Sequence, residues 1–166
     1  MWSEKLGMFS TRVLPIVVLL GLGAAACGST ATSDESTRND AGDIVEAGDV
    51  GVLALGVGDC FDDPSEDATE VASVAAVPCD QPHDNQAYAV FDLPDGDWLG
   101  QDPVVDAAFT GCLDRFEAAI GEPYDVSPLD ILPLYPTEDS WNAGDHEVVC
   151  AVYNVDLSKL TASVLA

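Results

Sequence analysis

Val77-Pro78-Cys79-Asp80-Gln81-Pro82-His83-Asp84-Asn85-Gln86-Ala87-Tyr88-Ala89-Val90-Phe91 is the stretch on which the reading of this chain turns. An apolar segment stops at Pro78-Cys79, a Pro-containing turn presents a histidine, and an apolar run resumes at Ala87 as a new strand. Upstream, Val71 to Val77 is rich in Val and Ala and reads as the preceding strand. Asp62-Asp63-Pro64-Ser65-Glu66-Asp67 is a turn by composition. Val52 to Phe61 reads as a lead-in and first strand, its glycines marking a bend or bulge. Two strands joined by a short acidic loop bring Cys60 beside Cys79, which predicts a disulfide between them.

Downstream, Leu93-Pro94-Asp95-Gly96-Asp97 closes the third strand with turn residues. Asp102-Pro103 then reads as a helix start, an acidic N-cap followed by Pro at the first helical position. Val105, Ala108, Phe109, Cys112, Phe116, Ala119 and Ile120 recur at helical spacing on one face, and Gly121 supplies the stop. Cys112 therefore lies on the buried face. Its predicted partner is Cys150, inside the run His146 to Val155. That run is the strongest strand signal in the chain, and apolar residues on both its faces place it inside a sheet. Ile131 to Tyr135 is short and Pro-containing, an edge strand or loop. Trp141 falls in a polar turn, and Leu160 to Leu165 reads as a final strand returning beside the His146–Val155 run. Strands, one helix and strands again, with short turns, predict an α+β fold. The expectation is one small domain with an antiparallel sheet, one main packed helix and two disulfides.

The chain has 166 residues, with 5 Lys+Arg against 30 Asp+Glu and a formal net charge of -25. Beyond residue 27 the only cations are Arg38, Arg115 and Lys159. Such a surface repels nucleic acid and anionic lipid headgroups, which excludes both as partners of the domain surface, and it admits a basic protein. The cysteines are Cys27 and the set Cys60, Cys79, Cys112 and Cys150. An even set in an exported chain implies disulfides. The absence of a paired Cys-x-x-Cys and the presence of only two histidines argue against structural zinc, so neither metal nor cofactor is expected.

The amino-terminal segment carries Lys5 and Arg12 ahead of an apolar run from Val13 to Leu22. That run is shorter than the roughly 20 residues of a membrane span and has the length of a signal-peptide core. Ala24-Ala25-Ala26-Cys27 resembles a bacterial lipobox, with Cys27 as the lipidated first residue after cleavage. Cleavage near Ala26 without lipidation is the other reading of these residues. The expected organisation is a signal peptide over 1–26, a lipidated Cys27 and flexible acidic tether over 27–50, and a folded domain over 51–166. Residues 28–50 are polar until Ile44 and Val45, too poor in apolar side chains to offset the entropy of folding. The expected location is the outer, extracytoplasmic face of the cell membrane, held there by the lipid on Cys27.

Taken together, Gly58-Asp59-Cys60-Phe61, Val77-Pro78-Cys79 with Pro82-His83, Cys112 in the helix, Trp141, Gly144-Asp145, Val149-Cys150 and Leu160-Thr161-Ala162-Ser163-Val164 resemble the septum formation domain family of actinobacterial envelope proteins. Gln86, His146 and Ala162 stand where that family commonly has an acid, an Arg and a Gly. The resemblance implies an exported, often membrane-attached domain associated with cell division, without a defined chemistry.

His83, flanked by Asp80 and Asp84, has the composition of a general base. No Gly-x-Ser-x-Gly elbow accompanies it, the cysteines are used as disulfides, and a turn histidine more often bonds the backbone of its own turn. No residue is assigned a catalytic role; His83, Asp84 and Trp141 are candidates for binding. Asp92, Asp95 and Asp97 do not match the spacing of a calcium loop. Trp98, Trp141, Tyr124 and Tyr135 could form an aromatic binding face or cap the core. The expected function is a lipid-anchored interaction or scaffold domain with envelope or division proteins as partners. The alternatives are an envelope-polymer hydrolase or transferase, which requires an exposed His83, and a lipoprotein that binds a small ligand or divalent cation.

Overall fold

The computed structural model describes residues 35–64 and 71–166. A short hairpin, β1 (Thr37–Arg38) and β2 (Ile44–Glu46), precedes the main sheet. The sheet is built from β3 (Gly48–Gly51), β4 (Cys60–Phe61), β5 (Ser73–Val77), β6 (Asn85–Asp92), β7 (Leu129–Leu134) and β8 (Glu147–Asn154). Its order is β3-β5-β4-β6-β8-β7, with every pairing antiparallel. One long helix, α1 (Gln101–Ile120), follows β6, and a one-turn helix, α2 (Glu138–Asn142), lies between β7 and β8. This is the α+β architecture that the order of segments predicts.

The alternation of side chains along β8 explains its apolar composition on both faces. Val148, Cys150 and Val152 join the core beneath α1, together with Tyr88, Ile131 and Phe116. Val149 and Ala151 point the other way into a second core with Phe61, Val74, Ala76 and Ala87. The helix contributes Val104, Ala108, Cys112 and Phe116, one residue per turn. Val104, not the predicted Val105, is the first buried position, because the stripe runs at intervals of four from Cys112. Helix α1 begins at Gln101 behind Gly100, rather than behind Asp102. It ends as predicted at Gly121, which takes the left-handed conformation (φ 87°) and donates its N–H to the carbonyl of Glu117.

Two disulfides tie these layers. Cys60–Cys79 joins β4 to the turn after β5, and Cys112–Cys150 joins α1 to β8; these are the two pairs expected from the spacing. Their sequence separations of 19 and 38 residues correspond to roughly 3 to 4 kcal/mol each in the chain-entropy account.

Three expectations are corrected. The tether does not extend to Val50: the strands Thr37–Arg38, Ile44–Glu46 and Gly48–Gly51 already belong to the folded part. Strand β3 pairs with β5 over four residues, and Ile44 and Val50, each 7 % exposed, belong to the second core. Few apolar side chains suffice there because Arg38 also clamps the hairpin to the domain. Its guanidinium bonds both carboxylate oxygens of Asp59 at 2.6 Å and the carbonyls of Gly42 and Ala54. The first strand is shorter than predicted. Val52–Ala54 forms a single 3-10 turn, Leu53 and Val57 are exposed, and only Cys60–Phe61 pairs in the sheet. The last strand is absent. Both edges of β8 are already occupied, by β6 and β7, so residues 160–165 have no place beside it. Instead, Leu160 forms an isolated bridge with His83.

Candidate functional site

The Pro-His turn is built from short-range bonds. Gln81 N–H closes it on the carbonyl of Pro78. His83 is wholly buried; its backbone N–H donates to Leu160 O at 3.0 Å, and its carbonyl accepts from Leu160 N–H at 2.8 Å. The ring Nδ1 lies 2.7 Å from the carbonyl of Gln81. A carbonyl only accepts, so Nδ1 carries the proton, and Nε2 is left buried without a partner. His83 therefore cannot reach a molecule in solution. The hydrolase alternative required an exposed histidine, and this geometry withdraws that residue from it. His83 is a fastener between the turn and the carboxy-terminal segment.

Asp84 works in the same place. One carboxylate oxygen accepts the N–H of Asp63, and the other lies 2.9 Å from Lys159 Nζ, which also reaches Asp62 at 2.7 Å. Burial pushes the Asp84 carboxyl up, but the bonds from Lys159 and from the Asp63 N–H outweigh burial and hold it below the usual carboxylate range. Gln86, buried beside them, does for the tail what a strand would have done. Its amide donates to Ser163 Oγ at 2.9 Å and its carbonyl accepts from Val164 N–H at 2.7 Å. Asp62, His83, Asp84 and Gln86 together anchor residues 159–164.

Trp141 belongs to another neighbourhood. Thr137 caps α2 in a reciprocal capping box with Ser140. This turns Trp141 inward to 8 % exposure, and its indole N–H donates to Gly96 O at 2.9 Å. Trp98 meets it edge-on at 5.7 Å between ring centres, and His146, bonded to Asp95, lies 4.2 Å away. Trp98, Tyr124 and Tyr135 pack against the core beneath α1. These aromatic residues cap a core and do not form an open binding face, so Trp141 is corrected from a binding residue to a structural one. Asp92, Asp95 and Asp97 do not converge: Asp92 faces Glu147 across the sheet and Asp95 bonds His146. Among the described residues no group of three or more His, Cys, Asp or Glu could hold a metal ion.

Sequence reasoning missed two features. One is the Arg38–Asp59 clamp, at the edge of a cleft of about 480 Å³ beside the Cys60–Cys79 bond. Its signal was the scarcity of cations: in a chain this acidic, each of Arg38, Arg115 and Lys159 is bound to find an acceptor. Arg115 donates to Gly111 O and stacks 4.0 Å above the ring of Phe91. The other is an apolar trough of about 560 Å³ on the face of the sheet turned away from α1, with Leu132, Leu134 and Val149 at its base. Its signal was the alternation in β7 and β8, which puts Leu132, Leu134 and Val149 on the face opposite the α1 core.

Cys27 and the lipobox lie outside the described residues. Neither the curated proteins nor the solved structures contain a match to this chain. The family model described as septum formation matches residues 21–154, a span that takes in the hairpin, both disulfides and every strand of the sheet, and the chain belongs to that family.

Proposed function

We propose that this protein is a lipid-anchored interaction domain on the extracytoplasmic face of the cell membrane, acting in septum formation during cell division. The observation that carries the reading is family membership over residues 21–154. Two features agree with it. Both internal disulfides are formed, and such bonds persist in oxidising compartments outside the cytosol. The apolar run and Ala24-Ala25-Ala26-Cys27 supply an export signal and an acylation site. The buried His83 and inward-turned Trp141 support a domain that works by contact through its surface.

The test is a fluorescent fusion of the full chain expressed in dividing cells, combined with metabolic labelling by an alkyne-tagged fatty acid. The expected result is enrichment at the division plane, with fatty-acid label that disappears in Cys27→Ala. Even distribution around the cell and an unlabelled wild-type chain would overturn the proposal.

A further inference from the structure

The apolar trough has a charged end. Glu147 stands on the same face of β8 as Val149, directly opposite Asp92 on β6, and Asp145 lines the trough beside it. Like charges across a strand pair destabilise a sheet. The Oε1 atom of Glu147 is buried and has no hydrogen-bond partner. Its carboxyl is pushed above the ordinary range by burial and by the charges of Asp145 and Asp92. None of the described cations serves this end of the molecule: Arg38 is held by Asp59, Arg115 covers Phe91, and Lys159 bridges Asp62 and Asp84. Leu53, 66 % exposed, forms part of the opposite wall.

We infer that this trough is a docking site for a peptide segment of a partner protein that carries a lysine or arginine next to apolar side chains. The cation would pair with the Glu147 carboxylate where it lines the trough and relieve its repulsion from Asp92 and Asp145. The flanking apolar side chains would cover Leu132, Leu134 and Leu53. Glu147 is half-buried among like charges and poorly solvated, so a cationic donor gains more here than at a fully exposed acid. Nucleic acids and acidic segments are refused by the same charge. The inference rests on the reading of the protein as an interaction domain and gives that domain its contact surface.

The test is fluorescence anisotropy on the full chain with a short labelled peptide holding one lysine between leucines. Two companion probes replace the lysine by glutamate or the leucines by serine. The expected result is binding of the lysine–leucine peptide alone, weakened about tenfold or more in both Glu147→Gln and Leu53→Ser, and unchanged in Asp114→Asn on the exposed side of α1. Glu147→Gln removes a poorly solvated charge, so its melting temperature should hold or rise while binding falls, which separates a lost contact from a damaged fold. Equal binding of the lysine–serine peptide, or unchanged affinity in both trough variants, would overturn the inference. So would self-association of the chain that Leu53→Ser abolishes, since a second copy would then be the occupant. Peptide binding without division-plane enrichment would count against the proposed function alone, and the reverse against the trough alone.

Discussion

Arg38 and Lys159 carry the same charge and do unequal work. Asp59 is 5 % exposed, and Arg38 grips both its oxygens while the N–H of Gly56 bonds one of them. Without Arg38 the carboxylate keeps a single backbone donor in a buried setting. Arg38→Ala should therefore cost about 2 kcal/mol, the range of hydrogen bonds to charged groups. Lys159 is 44 % exposed and both its acids are partly exposed, so Lys159→Ala should cost less than about 1 kcal/mol. Urea titrations of the two variants read the difference directly; equal midpoints would mean that the hairpin is held by Ile44 and Val50 alone.

At the scale of elements, the contact between α1 and β6 depends on a missing side chain. A Cβ on Gly111 would fall 2.3 Å from the ring of Phe91, which Arg115 covers from above. An alanine in a helix is worth roughly 0.5–1 kcal/mol over glycine, whereas overpacking costs roughly 1–3 kcal/mol. Gly111→Ala should lower the melting temperature despite its better helix propensity, and a higher one would show that Phe91 swings clear. The elements themselves differed in how plainly the chain announced them. The helix, β5, β6, β8 and both cysteine pairs were legible because each carries periodicity or spacing of its own. The hairpin was not, since a segment needs little apolar content when its own arginine is held by an aspartate of a distant loop. The tail was misread because Leu160-Thr161-Ala162-Ser163-Val164 has the composition of a strand. Whether a strand can form depends on a free edge, which only the topology decides. The trough was hidden for a related reason: alternation tells which side chains share a face, but not whether another element will cover it.

For the whole molecule, charge is the dominant imbalance. With 30 acidic side chains against 5 basic ones, repulsion among carboxylates outweighs the few ion pairs that salt would weaken. Raising the ionic strength shortens the screening distance to about 10 Å at 0.1 M. The melting temperature should therefore rise as sodium chloride is added at neutral pH, measured by differential scanning calorimetry. A fall would mean that the clamps at Asp59 and at Asp62–Asp84 control stability. The commitment of Lys159 to those two carboxylates has one more consequence, for chemical modification. The chain contains two lysines, Lys5 and Lys159, and the second is clamped at the root of the carboxy-terminal segment. Amine-directed coupling would have Lys159 as its one lysine target on the folded domain, and would remove the charge that Asp62 and Asp84 share while His83 and Gln86 still hold the segment. Carbodiimide activation, by contrast, would act on the carboxylates, and at Asp62 or Asp84 it would turn the ion pair with Lys159 into a covalent amide.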